Sequence, residues 1–436
     1  MVETEVSGRI RWHIQGAAEG PLLVLFAGIH GNEPAGIRAI DGLAEELIAR
    51  SEEFLGTLYV ITGNQRALEL GVRYIDTDLN RLWERVDVDA PEGVGIASDA
   101  QDSSDVQDTS DVQDTSDVQD TSGVQGTSGV HGASDVQDTS GVQGASGVQF
   151  YGTSEPSEPS EYIETREIRQ TLDEILQRHA NTASDIVFSD LHTTSSESCA
   201  FLLINDTLEN RRMAKKFPLP QILGIEENIH GTLLSYINNL GYKSIGFEAG
   251  AHDSEASVSR TRAFLKLLLH NSGILLLSEV EKRVEEARLE VYETVPADYY
   301  EIKHHQYVDD PCTFRMKPGF ENFDSVSAGQ LLAEENGEAV TAPMKGRIFM
   351  PLYQAKGHDG FLIIRKVPPF WIGLSAYLRG NFTHSFLRRL PGVSVAGPRS
   401  LLVDLGVARY FVKDIFHLLG YRVTRRDEST LICHRR

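Results

Sequence analysis

Apolar positions run along this chain in two textures. Residues 22–26 (LLVLF) are continuously apolar, at the length and composition of a strand buried on both faces. Behind Pro34, Ile37, Ile40, Leu43 and Leu47 recur at helical spacing, and proline suits a first helical turn. Residues 57–62 (TLYVIT) read as a second strand, 163–178 as a helix and 186–191 as a third strand. Strands over 200–204 and 244–248 and a helix over about 254–270 complete the series. Strands alternating with helices predict an α/β domain with a mostly parallel sheet covered on both faces. From about residue 301 the texture changes to short β-like runs punctuated by Gly and Pro, which predicts a compact β domain. Beyond about residue 368, a helix-like stretch over 406–419 and the run YRVTRRDESTLICH, read as a strand pair, predict a small α+β appendage.

One segment fits neither texture. Residues 105–146 are seven consecutive hexads, DVQDTS, DVQDTS, DVQDTS, GVQGTS, GVHGAS, DVQDTS and GVQGAS. Each carries one Val as its only sizeable apolar side chain, too little to offset an ordering cost of about 1–2 kcal/mol per residue. The segment is therefore expected to be disordered, since the coils of a hexapeptide solenoid need bulkier inward residues and caps. The run SEPSEPSE at 154–161 closes it as a Pro-rich polar linker. The predicted organisation is a discontinuous domain of residues 1–86 and 162–295, an insertion at 87–161, a β domain at 296–367 and the appendage at 368–436.

Charge supports this division. The chain carries −22, but residues 87–161 hold 16 acidic residues and no Lys or Arg, which leaves the remainder at −6. The acidity says little about a binding site, and it argues against nonspecific nucleic-acid or membrane binding. The first fifteen residues lack the apolar core of a signal peptide, and no apolar run is long enough to span a bilayer. Cys199, Cys312 and Cys433 are far apart and form no CxxC pair, as expected of reduced thiols. A cytoplasmic protein is the expectation, and a homo-oligomer is compatible with it.

The chemistry-bearing residues lie where strands should end. His30 and Glu33, in HGNE, follow the first buried strand, and α/β sheets place ligand sites at the carboxyl ends of strands. An imidazole and a carboxylate at this spacing can converge on a zinc ion, and His192 in DLHTT, again at a strand end, offers a third ligand. Two His and one Glu plus water is a catalytic zinc set. The role of neighbouring Asp190 is open. RYIDTDLNR at 73–81 supplies Arg73, Asn80 and Arg81, suited to carboxylate recognition and carbonyl polarisation, or equally to a surface salt-bridge loop. Glu248, in FEAG, stands after an apolar strand among small residues, a setting for a carboxylate that takes a proton from water, or for an ion-pair partner.

In the order GxHGNE, RYIDTDLNR, DLHTT and FEAG, these motifs resemble the succinylglutamate desuccinylase and aspartoacylase family, relatives of the zinc carboxypeptidases. The resemblance covers about residues 24–270, with the hexads as an insertion, and extends into the β domain. It implies a zinc-carboxypeptidase-like mixed sheet with flanking helices, followed by the smaller β domain and the α+β appendage. It further implies one zinc per chain on His30, Glu33 and His192, Glu248 as general base and Arg73 polarising the scissile carbonyl. Asn80 and Arg81 would hold a substrate carboxylate, and Tyr353 would be the tyrosine lent by the β domain. Aspartoacylases proper carry an arginine ten residues before the base; here that position is Asn238, so a substrate other than N-acetylaspartate is expected. The implied activity is hydrolysis of the amide, or the ester, of a small N-acylated amino acid or amine. A metallo-carboxypeptidase acting on peptides and a noncatalytic zinc-fold binding module are the alternatives.

Overall fold

The computed structural model describes residues 8–84 and 158–436, apart from 180, 197, 290–294, 355, 382–386, 398, 409–411 and 428, together with the backbone of 2–4. The hexads lie outside the described residues. The chain divides into a unit of residues 1–89 with 158–436 and a unit of residues 90–157.

The first unit is centred on a mixed sheet. In chain order the strands are β1 (Val2–Thr4), β2 (Ile10–Gln15), β3 (Ala18–Ala27), β4 (Leu55–Thr62), β5 (Ile186–Thr194), β6 (Phe201–Ile204), β7 (Gln221–Leu223), β8 (Lys243–Ala251) and β9 (Tyr299–Tyr307). Strands β4, β3, β5 and β8 lie side by side and parallel, so their carboxyl ends share one edge. Both faces of β3 are buried, as its unbroken apolar run predicts. Leu22, Val24 and Phe26 face one core, and Leu23, Leu25 and Ala27 face the other.

Helices cover both faces. They are α1 (Ala35–Asp41), α2 (Ala44–Ala49), α3 (Gln65–Leu70), α4 (Ser160–His179), α5 (Leu208–Ala214), α6 (Leu233–Asn239), α7 (Glu255–Ser272) and α8 (Glu279–Leu289). Ile40 and Leu47 join Leu265 and Leu269 of α7 in one core, while Ile168, Leu172 and Ile175 of α4 pack with Phe26, Tyr59 and Phe188 in the other. The single helix expected behind Pro34 is two short ones. At the break, Gly42 lies against the Arg262 guanidinium, which would have to shift to admit a Cβ there.

The β-rich part continues the same sheet. Strands β10 (Phe314–Met316), β11 (Ser325–Val326), β12 (Leu331–Glu335), β13 (Glu338–Thr341), β14 (Gly346–Phe349) and β15 (Asp359–Lys366) follow β9. Strand β9 runs parallel to β7, β15 adds antiparallel to β9, and β14 and β11 extend the edge. Strands β10, β12 and β13 form a separate three-stranded sheet. Tyr300, Phe349, Leu362 and Ile364 pack with Phe201, Leu203 and Ile222, which joins this part to the main domain through a shared core.

The appendage is a helix, α9 (Pro369–Asn381), and a four-stranded antiparallel sheet of β16 (Val393–Gly397), β17 (Ser400–Asp404), β18 (Tyr421–Arg425) and β19 (Thr430–Arg435), with α10 (Val412–Leu418). The strand pair predicted in YRVTRRDESTLICH is β18 and β19, whereas the helix predicted over 406–419 is confined to α10. The last residue, Arg436, is drawn inward. The Arg436 side chain is 7% exposed, and with Arg379 and Arg211 it surrounds Asp206, at 2.7 and 2.6 Å for Arg436 and Arg379. Among the described residues no helix is long and apolar enough to cross a membrane. Cys199 is free, and burial pushes its thiol up to about 12, which makes it unreactive.

Candidate metal centre

Three parallel strands deliver the site. His30 and Glu33 lie in the turn after β3, His192 lies near the end of β5, and Glu248 lies on β8 directly opposite His192 in the strand register. The turn after β3 is tight because Gly31 passes against α3: a Cβ there would lie 2.1 Å from the Ala67 carbonyl carbon.

His30, Glu33 and His192 are buried, and their ligand atoms all lie within 4.8 Å of one another. His30 Nδ1 stands 2.8 Å from Glu33 Oε1, and His192 Nδ1 stands 3.0 Å from Glu33 Oε2. Each ring is held from behind by an aspartate, with His30 Nε2 3.0 Å from Asp78 Oδ1 and His192 Nε2 2.7 Å from Asp190 Oδ2. A neutral imidazole that donates its Nε2 proton to an aspartate turns its Nδ1 lone pair toward Glu33. Two such lone pairs and a carboxylate converge on one point, and a divalent cation satisfies that arrangement. The donor set, two nitrogens and a carboxylate oxygen, suits zinc.

Charge is graded across the site. Burial pushes the Glu33 carboxyl up, but His30 and then His192 outweigh it and hold the group well below the usual carboxylate range. Asp78 is likewise held well below its ordinary value against burial, by Arg73, His30 and Arg81. Burial, with Glu33 and Asp190 adding to it, pushes Glu248 well above the usual range, against His192 and Arg73. One buried carboxyl is thus kept as an anion while its neighbour favours its proton. Glu248 Oε2 is buried and has no hydrogen-bond partner among the described residues.

Arg73 lies between two of these anions, donating from Nε and Nη2 to Asp78 Oδ2 at 3.2 and 2.9 Å, with Nη1 3.5 Å from Glu33 Oε1. It is a part of the cluster and not a surface ion pair. Asn80 uses its side-chain oxygen to accept from the Leu233 backbone N–H at 2.8 Å, at the start of α6. Arg81 donates to Asp359 Oδ2 at 2.6 Å. Tyr353 is not brought to the cluster by its hydroxyl, which donates to the Lys317 carbonyl and accepts from the Phe320 N–H, both at 2.9 Å. The segment around it does reach the neighbourhood: Ser195 donates to the Pro351 carbonyl at 3.3 Å, and Lys356 donates to the Tyr74 carbonyl at 3.0 Å. Asn238 is held between the Leu234 carbonyl and Asn210.

Four further residues, to which sequence alone assigns no role, complete the site. Asp190 was legible in principle, because residues two apart on a strand share a face. Asp78 stands inside RYIDTDLNR, yet only the structure shows it bridging His30 and Arg73. Thr193 donates its N–H to Glu33 Oε2 at 2.9 Å, and its hydroxyl lies 2.7 Å from His252 Nδ1. Glu161 is fully buried at the head of α4 and accepts from the N–H groups of Ile75, Asp76 and Thr77 at 2.6, 3.0 and 3.1 Å, which ties down the loop that carries Arg73 and Asp78. Its place beside a polar repeat hides it.

Residues 19–102 match the model of the succinylglutamate desuccinylase/aspartoacylase catalytic domain. The chain is 37% identical over 84 residues to the succinylglutamate desuccinylase of Pseudomonas syringae pv. tomato, over 17% of this chain and 25% of that one. It is 43% identical over 61 residues to the Yersinia enterocolitica protein of the same name, over 14% of this chain and 18% of that one. It thus spans about a quarter or less of the length of these relatives. Among solved structures, a succinylglutamate desuccinylase/aspartoacylase from Rhodobacter sphaeroides aligns over 82% of this chain and 88% of its own, with a TM-score of 0.49 and 15% identity. An ectoine utilization protein from Ruegeria pomeroyi aligns over 82% and 88%, with a TM-score of 0.47 and 16% identity. The likeness in sequence to the succinylglutamate desuccinylase/aspartoacylase catalytic domain thus lies in residues 19–102, the segment that carries His30, Glu33, Arg73 and Asp78.

Proposed function

We propose that the protein is a zinc-dependent deacylase that hydrolyses the amide bond of a small N-acylated amino acid. The observation that carries this reading is the meeting of two imidazole Nδ1 atoms on one carboxylate, each ring backed by an aspartate, beside a buried carboxyl with an unpartnered oxygen. His30, Glu33 and His192 would hold one zinc ion, which supplies Lewis acidity and acidifies water when bound.

The chain's own groups do the rest. Glu248 takes the proton of the attacking water at its free Oε2 and returns it to the leaving amine nitrogen. Burial and its anionic neighbours raise its affinity for a proton, as suits a group that must take one from water. Arg73, anchored by Asp78, faces the negative charge that develops on the scissile carbonyl oxygen. Asn80 and Arg81 stand on the same loop, where Arg81 receives the substrate carboxylate.

The test is turnover by zinc-loaded protein on a panel of N-acyl amino acids set beside dipeptides. Preference for the acyl compounds is expected. Glu248→Gln should keep the metal and lose activity by about 100-fold or more. Unimpaired turnover in that variant removes Glu248 from the reaction, and preference for peptides makes the protein a peptidase.

A further inference from the structure

Arg81 is committed before any substrate arrives. Its Nη2 donates to Asp359 Oδ2 at 2.6 Å and its Nη1 to the Asn80 carbonyl at 2.8 Å. Asp359 opens β15, and its other oxygen lies 2.8 Å from His305 Nε2 on the adjacent strand β9. Burial opposes ionisation of Asp359, but His305 and Arg81 hold it down to about 2, so it is an anion throughout the neutral range. Its side chain is 23% exposed and that of Arg81 32%, so the pair is open to a ligand.

The other nearby guanidinium is similarly matched, and the nearby ammonium has neutral partners. Arg73 is shared between Asp78 and Glu33, and it also feels the charge of Asp359. Lys356 spends its ammonium on the Tyr74 carbonyl and lies 4.6 Å from the centre of that ring. Each guanidinium therefore already faces a carboxylate of the protein. A first substrate carboxylate can share Arg81, but a second held beside it would meet the anion of Asp359, which already occupies Arg81 and His305. Discrimination of this kind comes from a repulsive element built against the wrong ligand.

We propose that Asp359 sets the substrate charge, so that the site selects N-acyl amino acids with a single carboxylate and rejects those with two. This rests on the deacylase reading and names its substrate class. N-acetyl-L-glutamine and N-acetyl-L-glutamate are probes of nearly equal shape that differ by one charge. They would be titrated by calorimetry into zinc-loaded protein carrying Glu248→Gln, so that binding is read without turnover. With Asp359 present, the glutamine compound should bind at least tenfold tighter. Asp359→Asn, and independently Asp359→Ser, should shrink or reverse that ratio by at least tenfold. Equal or tighter binding of the glutamate compound with Asp359 present, a ratio unmoved by both substitutions, or binding of neither compound would each overturn the proposal. Wild-type turnover of the same pair is read separately: the charge preference without hydrolysis of either compound refutes the deacylase reading and leaves the selection standing.

Discussion

At the residue scale, Asp78 and Asp190 decide how the two imidazoles present themselves. A histidine is a ligand only through the nitrogen its hydrogen bonds leave free, and here both aspartates take Nε2 and leave Nδ1 facing Glu33. Asp190→Asn keeps the shape but removes the charge that fixes the ring, so zinc affinity should fall about 10- to 100-fold, measured by competition with a chelator. Unchanged affinity would make Asp190 a bystander. The ligands themselves were legible as HGNE and DLHTT because each follows an apolar run that ends in a turn or strand end. Their supports were less so. Asp78 reaches His30 across 48 residues and Glu161 reaches Ile75 across 86, separations at which local pattern carries no signal.

At the element scale, the parallel strands were readable where burial on both faces removes polar residues from them, as in residues 22–27 of β3. Helix α9 was not, because its aromatic residues do not follow a buried stripe: Phe370 is 68% exposed and Trp371 48%. The docking of the appendage was equally hidden, since it rests on Arg379 and Arg436 meeting Asp206 across 173 and 230 residues. Burial resists ionisation of Asp206, yet Arg379, Arg436 and Arg211 hold it down to about 2, from an ordinary 3.8. A depressed carboxyl pKa stabilises the folded state above its unfolded value, and that stability is lost as pH falls through the folded one. The contribution should be complete above about pH 4 and fade toward pH 2. Asp206→Asn leaves the three guanidiniums without their anion and should cost about 3–5 kcal/mol at neutral pH. Chemical denaturation across this pH range checks both, and a variant as stable as wild type at pH 7 would contradict the account.

At the scale of the whole molecule, the site and the shared cores are built from the residues on either side of the hexads. The loop bearing Arg73 and Asp78 ends just before the acidic segment, and Glu161, which ties that loop down, is the last residue of that segment. Deleting residues 99–146 should therefore leave the melting temperature and zinc content unchanged, as checked by calorimetry and metal analysis. A clear loss of either would mean that the segment supports the fold. Everything else about the site depends on the metal, and metal analysis of freshly purified wild type beside His192→Ala tests for it. About one zinc per chain in the wild type, lost in the variant, is the predicted result. A wild type that carries no metal and takes none up on titration would contradict it.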